Sequence, residues 1–271
     1  MALPEPNAVV IRRREVAPGL LVIRVAPSGW ILPDFTPGQF AVLGLPPSAP
    51  RCENAEPEEA PPRPDLLLRR AYSIASSSRA REYLEFFVAL VRSGAFTPRL
   101  WALREGDPLW LSPRVTGMFT LAEVPSGTDL VLVATGTGLA PYMSMLRSGV
   151  AAGAGRRIAV VHGARHSWDL AYRAELVALE RAEPRFTYLP VVSRPLEESP
   201  PWSAASGYVQ DVWFGGLLEA RLGRRPSPRD THVFLCGNPA MVDDMVERLE
   251  AEGFREHTRK SPGQIHVERY W

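Results

Sequence analysis

The sequence predicts two successive domains of different fold class, an antiparallel β-barrel and then an α/β domain built on a parallel sheet. Short strand-like runs with frequent turns fill residues 8–112. From residue 130 onward, apolar runs alternate with helical stretches, a pattern typical of parallel strands linked by crossovers. A strand, a glycine turn and a helix follow one another directly in Val131–Pro141. We place the two domains at residues 1–122 and 123–271.

The composition indicates a soluble globular protein and excludes several other classes. Of 271 residues, 45% are hydrophobic and 23% are charged, and a net charge of +1 gives no indication of a nucleic-acid partner. No apolar run is long enough to cross a bilayer, and the N-terminus lacks the pattern of a secretion signal. The two cysteines, Cys52 and Cys236, make neither a disulfide framework nor a metal site. We expect a cytoplasmic protein without a membrane contact or a bound metal.

In the first domain, alternating apolar residues between turns predict short strands that form a barrel. The sharpest turns are Pro18-Gly19 and Pro37-Gly38. The predicted strands are Val9–Arg12, Leu20–Val25, Phe40–Leu45, Tyr83–Val91 and Leu109–Ser112.

The stretch 46–64 interrupts this pattern with seven prolines, four glutamates and almost no large apolar residue. Such a composition does not bury enough apolar surface to fold by itself. We therefore predict a flexible surface insertion, in which Cys52 is an incidental exposed thiol.

The run Arg70-Ala71-Tyr72-Ser73 holds the first candidate binding residues. On a strand, Arg70 and Tyr72 lie on one face and Ser73 on the other. An arginine fork suits a diphosphate, and a tyrosine ring stacks on a flat ligand. An ordinary strand with an exposed arginine and a core tyrosine has the same residues, so the run alone leaves both interpretations open.

A second candidate follows the strand Tyr83–Val91. Gly94 opens a turn, Thr97 is placed to cap a helix, and Pro98 suits the first helical position. Free amide groups at such a helix start bind anions, so we expect an anion-binding turn here.

Beyond residue 123, the alternation of strands and helices predicts a parallel sheet. The predicted strands are Leu130–Ala134, Arg157–His162, Arg185–Val191 and His232–Leu235, and the predicted helices are Pro141–Val150, Leu170–Ala182, Gly207–Leu222 and Ala240–Gly253.

A glycine turn, Thr135-Gly136-Thr137-Gly138, follows the first of these strands, and Pro141 suits the first turn of the next helix. Amide groups and the helix dipole converge there, which predicts a seat for a phosphate or dinucleotide. The pattern departs from the full dinucleotide-binding fingerprint, and no acidic residue obviously binds a ribose. A plain tight turn is therefore an alternative.

Five motifs stand in one order along the chain, and together they resemble the ferredoxin–NADP(+) reductase family. The ending Val267–Trp271 is similar to the bacterial branch of that family. The resemblance covers nearly the whole chain outside 46–64, and it implies FAD in the barrel and NADPH in a Rossmann-like α/β domain. The motifs are Arg70–Ser73, Gly94–Thr97, Gly136–Pro141, Cys236–Met241 and Tyr270-Trp271.

The resemblance implies that FAD is held mainly by the barrel. Arg70 matches the residue on the diphosphate, Tyr72 the residue on one flavin face, and Ser73 the residue at the flavin edge. At the C-terminus, Tyr270 matches the aromatic residue over the second flavin face and Trp271 the one that stacks on adenine. The implied FAD residues are Arg70, Ala71, Tyr72, Ser73, Phe87, Val88, Ala89, Ala95, Phe96, Thr97, Thr137, Tyr270 and Trp271.

For NADPH, the resemblance assigns Arg165 and Arg194 to the 2′-phosphate, a role that suits a guanidinium fork. Each arginine follows a predicted strand, where ligands of such sheets bind, although a surface ion pair is the alternative. Tyr208 stands where many bacterial relatives carry arginine, which weakens the implied preference for NADPH over NADH. Cys236 either lines the nicotinamide pocket or is a small core residue. The implied NADP residues are Gly136, Thr137, Gly138, Ala164, Arg165, Ser193, Arg194, Cys236 and Gly237.

The implied activity is hydride transfer between NADPH and FAD, coupled to one-electron exchange with a carrier. The chemistry belongs to the flavin, and the protein aligns it, with Tyr72, Ser73, Cys236 and Tyr270 as the implied catalytic residues. Glu268 is a candidate for proton handling, or else the partner of an arginine. Tyr270 covers the face that nicotinamide needs, so we expect it to move aside during turnover.

The charge of the barrel gives an indication of the carrier. Outside 46–66, the first 122 residues hold 12 arginines against 7 acidic residues. A basic face would steer an acidic ferredoxin or flavodoxin to a monomeric enzyme, although scattered solvated arginines give the same count. Two other functions are considered: an NADH-linked reductase component of an oxygenase, and a non-catalytic flavin-binding accessory subunit.

Overall fold

The computed structural model describes residues 3–58, 60–149 and 155–269, and the chain divides into two compact units. The first unit comprises Met1–Thr120 and Met143–Ser148, and the second comprises Leu121–Tyr142 and Gly149–Trp271. Residues 143–148 thus group with the first unit, although the sequence places them in the second domain.

An antiparallel sheet of six strands forms the first unit, as the sequence predicts. Its elements are β1 (Ala8–Ala17), β2 (Leu20–Pro27), β3 (Phe40–Leu45), β4 (Leu68–Ser73), β5 (Leu84–Ala89), α1 (Thr97–Ala102) and β6 (Pro108–Leu111). The strand order is β4-β3-β6-β1-β2-β5, and the two outer strands meet where Ile74, just after β4, bridges Phe86. The sheet therefore closes on itself as a barrel.

Alternate side chains of the strands fill the barrel, as a period of two requires. Leu21 and Ile23 on β2, Leu43 on β3 and Phe86 on β5 are completely buried in one apolar cluster. By contrast, Arg69–Ala71 on β4 are exposed, which leaves this strand open to a ligand.

Residues 46–58 lie against the barrel, which differs from the predicted flexible insertion. Arg99 on α1 is only 5% exposed and binds the carboxylate of Glu58 at 2.6 Å. The Arg99 guanidinium also donates to the carbonyl of Pro47 at 2.8 and 3.0 Å. Cys52 packs against the barrel core and is half-buried rather than exposed. Polar contacts to a buried arginine, together with the packing of Ala49 and Cys52 on the barrel core, hold this proline-rich stretch in place.

A parallel sheet of five strands, with helices, forms the second unit and confirms the predicted fold class. Its elements are β7 (Asp129–Thr135), α2 (Ala140–Arg147), β8 (Ile158–Ala164), α3 (Arg173–Ala182), β9 (Phe186–Val192), α4 (Val209–Phe214), α5 (Leu217–Leu222), β10 (Thr231–Gly237), α6 (Pro239–Ala251) and β11 (Ile265–Arg269). The strand order is β11-β10-β7-β8-β9, and each neighbouring pair is parallel. The carboxyl ends of all five strands therefore lie at one edge, called here the carboxyl edge.

Two features of the second unit differ from the prediction. The helix predicted over Gly207–Leu222 is two helices, because Gly216 adopts a left-handed φ of +83° between α4 and α5. The strand β11 was not predicted, although its five residues alternate in the manner of a strand, because it is short and lies in the stretch compared as a C-terminal motif. It pairs with β10 and extends the sheet.

Candidate nucleotide-binding sites

The glycine turn lies at the carboxyl edge, directly after β7. A single 3-10 turn covers Gly136–Leu139 and leads into α2. Gly136 has a φ of +54°, and a side chain added there would meet no atom within 4 Å. A left-handed glycine that faces open space leaves its backbone accessible to a ligand.

Two other glycines of this edge are tightly enclosed. A Cβ atom at Gly138 would collide with the carbonyl oxygen of Cys236, and one at Gly237 would collide with Thr135. The hydroxyl of Thr135 also accepts a hydrogen bond from the amide of Asn238 at 2.8 Å. The predicted turn Gly136–Gly138 and the predicted pair Cys236-Gly237 therefore lie side by side, and glycine is required for the close approach.

Cys236 is completely buried at the end of β10, as a small core residue is. Its Sγ lies 3.8 Å from Oε2 of Glu268, which pairs with it in register on β11. The thiol is the donor and the carboxylate the acceptor of this weak hydrogen bond.

The two predicted arginine pairs come together in the loops after β8 and β9. The amide of Ser193 donates to the carbonyl of Ala164 at 3.0 Å, and the amide of Arg194 donates to that of Arg165 at 2.9 Å. Both arginines are exposed. The fold thus places two guanidinium groups on neighbouring loops at the carboxyl edge, as expected from parallel strands.

A histidine and two carboxylates form a cluster with Arg194, and sequence reasoning missed them. Glu197 Oε2 lies 2.9 Å from His166 Nε2, and Glu197 Oε1 lies 3.5 Å from Arg194 Nη1. Asp169 lies 3.2 Å from Nδ1 of the same histidine. The hydrogen bond to Glu197 raises the pKa of His166, and the same contact lowers the pKa of Glu197. The only sequence signal is the closeness of His166 to Arg165 and of Glu197 to Arg194.

Tyr208 occupies the position where the resemblance would place a third cation. Its side chain is 67% exposed, and its amide donates to Oδ2 of Asp211 at 2.7 Å at the start of α4. A phenol carries no positive charge at neutral pH, so the structure supplies no cation from this position.

In the first unit, the predicted residues of β4 divide between surface and core. Arg70 and Ala71 are exposed, and Ser73 is buried. The ring of Tyr72 packs edge-on against Phe86 at 6.4 Å and tilts against Phe96 at 6.0 Å between centroids. Burial raises the pKa of Tyr72, so its phenol stays protonated and is available as a donor.

The remaining predicted barrel residues lie on β5 and in the turn that follows it, and of these Phe96 contacts Tyr72. Phe87, Val88 and Phe96 are buried, while Ala89, Ala95 and Thr97 are partly exposed. Thr97 is the first residue of α1 and not its cap, because its hydroxyl bonds to the amide and carbonyl of Val91 across the turn. The residue at the cap position is Phe96, which makes no side-chain capping bond.

The residues present at both sites suit nucleotides that carry phosphate groups. Arg70 in the first unit, and Arg165 and Arg194 in the second, offer exposed guanidinium groups of the kind that bind phosphate oxygens. Gly136 leaves space that a Cβ atom would otherwise fill.

Tyr270 and Trp271, predicted to cover the flavin and adenine, lie outside the described residues. In the described part of the chain, no group of three His, Cys, Asp or Glu residues could hold a metal ion. Within that part, too, every helix is too short or too polar to span a membrane.

Comparisons with known proteins show which family this chain is similar to. Residues 132–247 match the family model of the oxidoreductase NAD-binding domain. The chain is 32% identical to a ferredoxin–NADP reductase of Azotobacter vinelandii over 245 residues, which cover 87% of this chain and 86% of that protein. It is 34% identical to a flavodoxin/ferredoxin–NADP reductase of Escherichia coli over 243 residues, 89% of each chain. The crystal structure of a ferredoxin–NADP(+) reductase from Neisseria gonorrhoeae with bound FAD and NADP superposes with a TM-score of 0.81 at 25% identity, covering 98% of both chains.

Proposed function

Because the chain belongs to the family of bacterial ferredoxin–NADP reductases, we propose that it is an FAD-dependent oxidoreductase that exchanges electrons between NADPH and a small carrier. The observation that carries this proposal is that the glycine turn and the two arginine loops lie at the carboxyl edge of the same sheet. An open glycine turn lies after β7, and two exposed arginines lie on bonded loops after β8 and β9. The resemblance predicts these groups for a nucleotide with a 2′-phosphate.

The barrel residues hold FAD in this proposal. Arg70 binds the diphosphate, Tyr72 packs on the flavin, and Ser73 lies at the flavin edge. When bound, FAD accepts a hydride from nicotinamide and passes the electrons on singly. The contacts of Tyr72 with Phe86 and Phe96 fix its ring before the cofactor arrives, which lowers the entropic cost of binding.

The second unit orients NADPH. Arg165 and Arg194 bind the 2′-phosphate, and the backbone at Gly136 approaches the diphosphate. Cys236 Sγ donates to Glu268, and the close packing of the Cys236 carbonyl on Gly138 holds the glycine turn against the end of β10. The resemblance implies that Tyr270, which lies outside the described residues, would cover the flavin and move aside for nicotinamide.

The carrier is an acidic ferredoxin or flavodoxin that binds transiently to a monomer in the cytoplasm. The names of the similar proteins support this class of partner. The arginine surplus of the barrel supports it as well, since opposite charge raises the rate of encounter. The exposed Tyr208 favours a second candidate, an NADH-linked reductase that serves an oxygenase.

The experiment measures cytochrome c reduction through added ferredoxin, with NADPH or NADH as the donor. We expect carrier-dependent turnover with NADPH. Arg165→Ala and Arg194→Ala should each raise the KM for NADPH about tenfold, as expected for a lost charge-assisted bond, with a smaller effect for NADH. Arg181→Ala, an exposed arginine in the last turn of α3, is the matched control. Equal use of both donors that is insensitive to both site variants would favour the oxygenase reductase instead.

A further inference from the structure

We propose that Glu197 sets the preference between NADPH and NADH, because its carboxylate competes with the 2′-phosphate for Arg194 and His166. This inference rests on the proposed function, since it assumes that the loops after β8 and β9 bind the adenosine end of the nucleotide. It names a residue for which the resemblance gives no role.

Geometry places the Glu197 carboxylate where a phosphate would find its partners. One oxygen is 2.9 Å from His166 Nε2 and the other is 3.5 Å from Arg194 Nη1. The resemblance assigns the same arginine to the 2′-phosphate. An incoming phosphate therefore either displaces Glu197 or binds beside a like charge, and both reduce its affinity.

The histidine that Glu197 contacts is held rigidly. His166 stacks on Trp168 with 4.5 Å between ring centroids and 9° between planes. Asp169 Oδ2 accepts from the amide of His166 at 3.2 Å and lies 3.2 Å from its Nδ1. Because the ring is fixed from both sides, its Nε2 is directed toward whichever anion occupies the position of Glu197.

Glu197 is the carboxylate of this cluster that the fold can release. Glu198 is 8% exposed and accepts hydrogen bonds from the amide and the hydroxyl of Ser167, each at 2.6 Å. Asp169 accepts a backbone amide as described above. The carboxylate of Glu197 contacts only side chains in its described hydrogen bonds, and this side chain is 56% exposed, so it is free to move.

Among the described residues, few cations lie near Glu197, so its competition with the 2′-phosphate affects the selectivity for NADPH. Arg194 and His166 contact Glu197, Asp169 contacts the other ring nitrogen of His166, and Tyr208 adds no cation. NADH carries no 2′-phosphate, so it does not compete with Glu197 for Arg194 and His166. The carboxylate therefore lowers the selectivity for NADPH that the two arginines would otherwise provide.

The test measures binding of 2′,5′-ADP and 5′-AMP to the full chain by calorimetry, because the two ligands differ only in the 2′-phosphate. Wild type should prefer 2′,5′-ADP, and Glu197→Gln should raise that preference, the ratio of the two dissociation constants, about fivefold. The matched control is Asp244→Asn, which removes an exposed carboxylate that pairs with Arg248 on α6. It should leave the ratio at the wild-type value.

A second variant separates competition from a general charge effect. In an Arg194→Ala background, the gain from Glu197→Gln should fall to less than twofold. An equal gain in both backgrounds, or no gain in either, overturns the inference. A wild type that shows no preference for 2′,5′-ADP, with none gained in Glu197→Gln, contradicts the 2′-phosphate site itself and the inference with it.

Discussion

Two arginine–carboxylate pairs of this chain have the same chemistry and different surroundings. In the first unit, Arg99 and Glu58 are 5% and 16% exposed, and the guanidinium also binds the carbonyls of Pro47 and Ala95. In the second unit, Arg194 and Glu197 are 50% and 56% exposed. A buried pair whose remaining donors are satisfied resists separation, whereas an exposed pair has a small net free energy and can exchange partners. Burial thus makes one pair structural and leaves the other available to a ligand.

The largest effect should come from the buried pair. Glu58→Gln leaves the Arg99 charge without its counterion, and we expect the free energy of unfolding to fall by about 2–3 kcal/mol. Urea denaturation of the FAD-saturated chain measures this. The control is Asp65→Asn, which breaks the exposed pair with Arg63 and should leave the midpoint unchanged. Equal midpoints for Glu58→Gln and the control would show that residues 46–58 are not held by this contact.

The glycine turn also contains one enclosed and one open position, Gly138 and Gly136. Gly138→Ala forces the turn away from the Cys236 carbonyl, so we expect loss of nucleotide binding together with lower stability. At Gly136 the added methyl meets no atom, and the left-handed φ costs only about 1 kcal/mol. Gly136→Ala should therefore fold while its affinity for 2′,5′-ADP falls. Circular dichroism and calorimetry distinguish the two variants, and unchanged binding in Gly136→Ala would exclude backbone contact at this residue.

Histidines with lowered and with raised pKa values should change the stability in opposite directions as the pH changes. Burial lowers the pKa of His162 to about 4, and burial with the nearby His257 and His232 lowers that of His266 to about 3. Below pH 6.5 these two histidines bind protons in the unfolded chain and remain neutral in the folded chain. Stability should therefore fall as the pH drops from 6.5 toward 4, with a slope of up to about 1.4 kcal/mol per pH unit for each residue.

The variant His266→Phe should flatten part of this acid dependence, because a phenyl ring preserves the stack on Phe234 and does not titrate. His166 has a raised pKa, so its contribution is complete below pH 6.5 and is lost as the pH rises through that raised value. Unfolding curves across pH measure both effects. An unchanged acid slope in His266→Phe would contradict the first.

The smallest effect should come from the exposed pair. Glu197→Gln should shift the Tm by less than about 1 °C, because exposed ion pairs contribute little to stability. Differential scanning calorimetry of Glu197→Gln gives its Tm, which is then compared with the change in nucleotide selectivity of the same variant. A Tm loss as large as that of Glu58→Gln would mean that Glu197 is structural and that its effect on the nucleotide is indirect.

Much of the fold could be predicted because its signals are local. Periodic apolar runs predicted the strands of both sheets except β11, and the parallel topology explains why the loops of Arg165 and Arg194 meet at one edge. The docking of residues 46–58 could not be predicted, since it depends on carbonyl groups of Pro47 and Ala95 that the fold brings to a buried arginine.

At the nucleotide site, too, a contact that depends on tertiary structure could not be predicted. The contact of His166 with Glu197 joins residues 31 apart, and neither residue belongs to a motif that the sequence singled out. Gly215-Gly216 indicates the break in the helix predicted over 207–222, but the apolar residues on either side of it continue a helical pattern. Side-chain contacts between loops are decided by tertiary structure, whereas strand and turn signals are decided locally.

The central claim is that the barrel holds a flavin that NADPH reduces. The most direct measurement is the visible absorption spectrum of the FAD-loaded chain, recorded under anaerobic conditions before and after one equivalent of NADPH. We predict loss of the oxidised flavin band on mixing, and its return when oxidised ferredoxin or flavodoxin is added. A folded chain that retains no FAD, or whose flavin band NADPH leaves unchanged, would contradict the claim.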